Sequence, residues 1–191
     1  KDFTLQDQTI KDNSIKSVRI IRFEAGLGTE GSPFIIRNRD DMKLMSDVST
    51  QDSMAGLYFK VEDGIDFLDL TEEAGPLGFA PIGTSTYRFK GHFDGNGTEF
   101  KLNYGKANVD YRGLFGFIEI ASIKNLSVSG FIGAGRYTGG IVGRALNSTI
   151  EGVYNFADID GSTNIGGIIG NSMGTTIKHA YNFGSITAGT S

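Results

Sequence analysis

Gly113, Gly140 and Gly167 stand 27 residues apart, as do Gly116, Gly143 and Gly170, and so do Ile123, Ile150 and Ile177. The segments read GLFG, GIVG and GIIG, each followed by six residues and then an isoleucine. A fixed period of roughly 20–50 residues marks a solenoid, in which each repeat buries its apolar face against the next. In a parallel stack, residue i lies about 4.8 Å below residue i+27. Leu114, Ile141 and Ile168 then form one apolar column, and Phe115, Val142 and Ile169 a second. Ile123, Ile150 and Ile177 form a third, and Ile132, Ile159 and Ile186 a fourth. The glycine columns are expected at corners, where φ is positive or neighbouring backbones approach closely. Tyr154-Asn155-Phe156 returns as Tyr181-Asn182-Phe183. Stacked asparagines bond their copies as amide ladders do in cross-β stacks. The flanking rings read either as stacked buried area or as an aromatic ledge for sugars.

The expected fold is therefore all-β, a β-solenoid of about 27 residues per regular coil stacked in parallel. Regular repeats are expected over 113–139, 140–166 and 167–191 within a solenoid covering 31–191. Before them, Phe34-Ile35-Ile36 reads as a strand, and one helix follows near 38–48. Asn38 can cap that helix, with Asp40 and Asp41 at the positive end of its dipole. Met42, Leu44, Met45 and Val48 share its apolar stripe. Such a helix can cover the open core and unpaired edge of a first coil. Strands are expected at Leu57–Val61 and Ile65–Leu70, and again around Phe79–Gly83 and Tyr87–Gly97. Residues 1–30 read as two or three strands and a turn-rich linker, with Phe3, Leu5, Ile15, Val18, Ile20 and Phe23 as apolar positions. They can be the end of a preceding module. The last coil has no polar cap, so its edge is expected to continue into more chain or to pair with another molecule.

Composition narrows the classes of partner. Glycine is 28 of 191 residues and proline only 3, which in a chain 39% apolar fits tight turns between short strands. A net charge of −4 argues against nucleic-acid binding. Between Asp40 and Glu73 ten acids face two bases, which reads as a solvated face. No apolar run is long enough for a membrane helix. The chain opens at Lys1-Asp2 without an apolar leader, as a mature or excised segment does.

Several of these elements, taken in order, resemble the GLUG-repeat proteins. GLGTEGSPFIIRNRDDMKLM is similar to that family's opening turn, strand and helix. FAPIG (Phe79 to Gly83), FKGHFDGNG (Phe89 to Gly97), then RGLFG, TGGIVG and IGGIIG follow at the family's spacing. The chain departs at Phe100-Lys101-Leu102-Asn103, one residue out of step, and lacks the cysteine of many late repeats. The resemblance covers about Leu27 to Ser191. It implies a right-handed parallel β-helix in a bacterial surface or secreted protein. Such repeats occur in adhesin-like proteins and in the noncatalytic N-terminal parts of immunoglobulin-A-cleaving metalloproteases. It implies no reaction.

The residues offer little reactive chemistry. There is no cysteine, and His92 and His179 are the only histidines, so a tetrahedral zinc site is not expected. H-E-x-x-H is absent, and no phosphate loop follows the glycines. Asp94-Gly95-Asn96-Gly97 lacks EF-hand spacing, and the coils lack the GGxGxD calcium repeat. Asp94 is instead expected to order its own turn by Asx-type bonding. Asp158 and Asp160 flank Ile159 and share an outward face, but neighbouring coils add no acids there. Arg88, Lys90 and Arg112 with Asp94 are the one set resembling a polysaccharide lyase. Ile123-x-x-Leu126-x-Val128 echoes a leucine-rich repeat, whose asparagine is replaced by Phe131, Asp158 and Ser185.

The expected function is a noncatalytic, adhesin-like module at the bacterial cell surface or outside the cell. It needs no cofactor, and a glycan or a host or matrix protein is its expected ligand. Its surface candidates are His92, Asp94, Asn96, Tyr111 and Tyr137. The alternatives are a carbohydrate-active enzyme on the same scaffold, since folds host unrelated sites, and a passive stalk.

Overall fold

The computed structural model describes residues 3–6, 18–21, 23, 25–71, 79–105, 109–133 and 135–189. Sequence expectations at Ile15, Glu72, Glu73, Gly78 and Ser191 lie outside them. The chain is a parallel β-solenoid of about 5 turns with about 27 residues per turn, 52% strand, and one α-helix.

Three main faces and a short fourth ladder, Arg136–Gly139 on Thr163–Gly166, make up the regular turns. The first stacks Phe115–Glu119, Val142–Leu146 and Ile169–Met173 in parallel, with Ile82 and Phe89 bridging from the turn before. The second stacks Phe34–Ile36, Tyr58–Val61, His92–Asp94, the start of Ser122–Gly133, Thr149–Asn155 and Thr176–Asn182. The third carries Phe67–Asp69, Glu99–Tyr104, the end of Ser122–Gly133, Asp158–Gly161 and Ile186–Ala188. Three of the four apolar columns read from the repeat lie in these faces in the register expected, and Leu114, Ile141 and Ile168 immediately precede the first-face strands.

The second face extends its column well before the regular repeats. Phe34, Phe59, Phe93, Ile123, Ile150 and Ile177 pair in succession. Only the last two intervals are 27 residues; the earlier ones are 25, 34 and 30, so no fixed period exposes them. Phenylalanine fills the early turns and isoleucine the later ones. Phe23 packs against Phe34 and Phe59 with ring centroids 5.0 and 5.4 Å away. The column shows how burial is shared: Ile150 is fully buried, whereas Ile177, with no described rung above it, is 46% exposed.

Helix α1 (Arg39–Val48) runs between the first two strands of the second face, where a regular turn would place a first-face strand. Asn38 caps it by accepting the Asp41 N–H at 3.0 Å. Met42, Met45 and Val48 are buried in the common core, and Ser46 Oγ donates to Ala80 O at 2.7 Å. The helix thus covers the edge that the next turn would otherwise leave unpaired. Phe3–Gln6 and Val18–Ile21 form a separate antiparallel pair.

Of the two expected roles for the register glycines, the structure shows one. None of the six glycines in the register columns has positive φ. They serve close approach instead: a Cβ on Gly140 would sit 2.2 Å from Asn155 Oδ1, and one on Gly116 2.5 Å from Gly83 O. The left-handed corners fall in other columns, Ile120–Asn147–Gly174 and Asn125–Gly152–His179. Asparagine tolerates that conformation and glycine prefers it, but Ile120, at φ 51°, is strained there.

The Tyr-Asn-Phe copies also divide differently. Asn155 is fully buried, while Tyr154, Phe156, Tyr181 and Phe183 are exposed. The rings stack copy on copy, Tyr154 on Tyr181 at 5.4 Å and Phe156 on Phe183 at 5.1 Å, yet they are not core.

Candidate functional site

Outward positions of a stacked strand form columns as regular as the core. On the second face the column Lys60, Asp94, Lys124, Glu151, Lys178 alternates in charge from turn to turn. Opposite charges directly across neighbouring strands stabilise a sheet. Lys124 Nζ reaches Asp94 Oδ2 at 3.2 Å, and Lys60 Nζ reaches Asp63 Oδ1 at 2.8 Å. The last three members were legible in the 27-residue register; the first two were not, because the early turns differ in length.

Asp94 orders its turn as expected, accepting the Asn96 N–H at 2.9 Å and Asn125 Nδ2 at 3.1 Å on Oδ1. Asn96 sits at φ 53°, and its Nδ2 donates to Val61 O and Asp63 Oδ1. His92 stacks on Tyr58, one strand earlier, with centroids 4.1 Å apart. His92, Asp94, Tyr58, Lys60 and Lys124 border a depression of about 470 Å³.

Tyr111 and Tyr137 lie elsewhere, at left-handed corners flanking the first face. They stack on each other at 5.0 Å, and Tyr111 stacks on Phe117 at 5.4 Å. The Arg144 guanidinium lies over Phe117 and Tyr137, 5.0 and 5.4 Å from their centroids, and Arg88 lies 4.7 Å from Phe117. A cation held over ring faces is attracted by the ring quadrupole. Tyr111 also borders a hollow of about 340 Å³, together with Asp110 and Arg112. The five candidate residues therefore divide between two surfaces.

The set suggested by polysaccharide lyases is not assembled. Arg88 Nη1 and Lys90 Nζ both bind Glu119, each at 2.7 Å. Arg112 lies over the Tyr104 ring at 4.6 Å, and Asp94 is held by Lys124 and Asn125. Sequence proximity placed these groups together; the coil geometry keeps Arg88 and Lys90 on one carboxylate and gives Arg112 and Asp94 other neighbours. Asp158, read with Asp160 as an outward pair, accepts both the N–H and the Oγ of Ser185 across one turn.

The perturbed carboxylates shift in one direction. Lys90 and Arg88 hold Glu119 below the usual glutamate range. Arg136 does the same for Asp110, Ser185 for Asp158, Lys60 and Asn96 for Asp63, and Thr71 for Asp69. A general acid needs the opposite shift. These groups are suited to fastening one turn to the next. Among the described residues no three His, Cys, Asp or Glu are placed to hold a metal ion, and no helix is long and apolar enough to cross a membrane.

No family model matches the chain, and no solved structure matches it. It is similar to a protein of Evansella cellulosilytica named "Putative Gly-rich membrane protein", with 33% identity over 112 residues. That match covers 56% of this chain, and the chain spans 12% of that protein's length.

Proposed function

We propose that this chain is a noncatalytic module of a bacterial surface or secreted protein, of the GLUG-repeat kind. It binds a glycan or a host or matrix protein through the lateral faces of the solenoid, as an adhesin does. One observation carries the reading: outside the buried core columns, the stacked strands present repeated aromatic rings and a column of charged side chains to solvent. Tyr154, Phe156, Tyr181 and Phe183 are each at least 40% exposed, and such rings are enriched where proteins meet ligands. The lowered carboxylates support a binding role over an acid–base one. The Gly-rich relative, named a membrane protein, accords with a surface location.

Glycan and matrix-protein arrays probed with the whole chain test this reading, and specific retention is the expected result. Blank arrays, together with release of reducing or unsaturated ends from a polysaccharide, overturn it in favour of a carbohydrate-active enzyme. The unbroken column from Phe34 to Ile177 favours a second reading, a passive stalk. Deleting 140–166 would then shorten the molecule by one rung, about 4.8 Å, and cost no binding or adhesion.

A further inference from the structure

Two arginines on the flank of Tyr111 have their charge matched, and Arg112 does not. Glu119 takes Arg88. Asp110 takes Arg136, accepting its backbone N–H on Oδ1 at 2.9 Å and Nη2 on Oδ2 at 2.8 Å. Arg112 is half-buried, makes no ion pair among the described residues, and has a buried Nε without a hydrogen-bond partner. Its neighbour is the ring of Tyr104, whose hydroxyl burial pushes far above the ordinary tyrosine value. That hydroxyl stays protonated, donates to Gly113 O, and supplies no counter-charge.

Burial lowers the Arg112 pKa from the ordinary arginine value, so the charged form has lost hydration and gained a ring face but no counter-charge. An anion delivered to that guanidinium would restore what burial removed. The planar fork matches a carboxylate in two parallel hydrogen bonds. The hollow that Arg112 lines is about 340 Å³, within the range of about 300–1,000 Å³ usual for small-ligand sites. Pro81 gives it an apolar wall, and Thr84 and Ser85 bring hydroxyls. Thr84 Oγ1 accepts the Tyr87 N–H at 2.9 Å, which leaves its own hydrogen free to donate. Ser85 is exposed and has no hydrogen bond among the described residues.

We propose that this hollow binds an acidic sugar residue, with Arg112 gripping the carboxylate and Thr84 and Ser85 meeting ring hydroxyls. The inference rests on the reading of the chain as a glycan-binding module and names the ligand class at one site. Asp110 also lines the hollow but is held by Arg136; hydroxyl partners and an apolar wall around the remaining cation fit a uronate or a sialate better than a peptide carboxylate, which lacks ring hydroxyls.

Calorimetric titration of the whole chain tests it, using sodium D-galacturonate, sodium N-acetylneuraminate, D-galactose and sodium N-acetylglycinate. At least one acidic sugar is expected to bind about tenfold or more tighter than galactose, the worth of one charge-assisted pair, and tighter than N-acetylglycinate by the hydroxyl contacts that the latter lacks. Whichever of galacturonate and N-acetylneuraminate binds tighter identifies the source of the carboxylate. Arg112→Gln is expected to lose that preference. Ser85→Trp, at an exposed position on the rim, should block the hollow without touching the core, so it serves if Arg112→Gln does not fold. Equal binding of galactose, equal binding of N-acetylglycinate, no binding of either acidic sugar, or an unaffected Ser85→Trp variant overturns the proposal. Retention of neutral glycans on arrays, unaltered by these variants, would leave the binding-module reading standing while this site falls. Blank arrays would remove both.

Discussion

Asn155 supports the sharpest prediction because it is a fully buried polar side chain where the turn below carries an apolar one. Val128 occupies the same position one turn below, and Asn182 one turn above. Asn155 is fully buried. Its Nδ2 donates to Ala157 O at 3.0 Å and to Asn182 Oδ1 at 2.7 Å, and its Oδ1 accepts the Ala157 N–H at 3.1 Å. Gly140 leaves the space for this amide. Asn155→Val would place the side chain of the turn below in the same strand position, and valine is the better strand former. If apolar burial governed the column, that variant would be neutral or stabilising. Hydrogen bonding argues the reverse. The change orphans the Ala157 N–H and C=O, and a buried unsatisfied group costs about 1–3 kcal/mol. Two such groups put the expected loss at about 2–5 kcal/mol, a large part of a typical stability of roughly 5–15 kcal/mol. Guanidinium denaturation of Asn155→Val, Asn155→Ala and the exposed control Asn182→Ala would measure it, alongside hydrogen exchange at the Ala157 amide. Both Asn155 variants should lower the midpoint well beyond the control and accelerate Ala157 exchange. A stabilised Asn155→Val, or an Asn155→Ala no worse than Asn182→Ala, would refute the reasoning.

Three further outcomes follow from the corners and the charge fasteners. Ile120→Gly should stabilise the protein by about 0.5–1 kcal/mol, because left-handed strain of roughly 1–2 kcal/mol outweighs the entropy of glycine, and a thermal melt would detect it; the side chain is 65% exposed, so little packing is lost. Gly140→Ala should destabilise by about 2 kcal/mol or more, since its Cβ would meet both Asn155 Oδ1 and Gly167 O, and a chemical denaturation midpoint equal to the parent's would contradict this. Glu119→Gln should cost about 0.5–1 kcal/mol at neutral pH. The folded pKa of Glu119 is depressed below 4.5 by Lys90 and Arg88, so its contribution is present above that value and fades as pH falls through the folded pKa. The parent and Glu119→Gln stability curves should therefore converge on the acid side, and a constant gap at every pH would count against the fastener.

Much of the architecture was legible because a stacked fold repeats its instructions. A period of 27 sets which isoleucine lies on which, and burial then follows from the interior being dry. The helix was legible from local chemistry, through the Asn38 cap and the stripe of Met42, Met45 and Val48. The first turns were not: Phe34, Phe59 and Phe93 share a column at unequal spacings, and only the backbone pairing reveals it. The register glycines were expected at corners with positive φ or close approach, a choice that composition leaves open, and close approach at Gly116 and Gly140 decided it. Arg88, Lys90 and Asp94 are close along the chain and Arg112 follows, yet Arg88 and Lys90 share Glu119, Asp94 is held by Lys124 and Asn125, and Arg112 lies over the Tyr104 ring.

The sequence by itself therefore determined the stack, the core columns and the scarcity of reactive groups, because those depend on which residue types recur and how far apart. Only the tertiary structure decided which outward side chains are matched and which are left over. Arg136 and Arg112 both neighbour Asp110 in space or sequence, and nothing in their spacing says which one the carboxylate takes. That choice follows from where neighbouring turns set the guanidinium groups, and it leaves Arg112 charged, half-buried and facing a hollow.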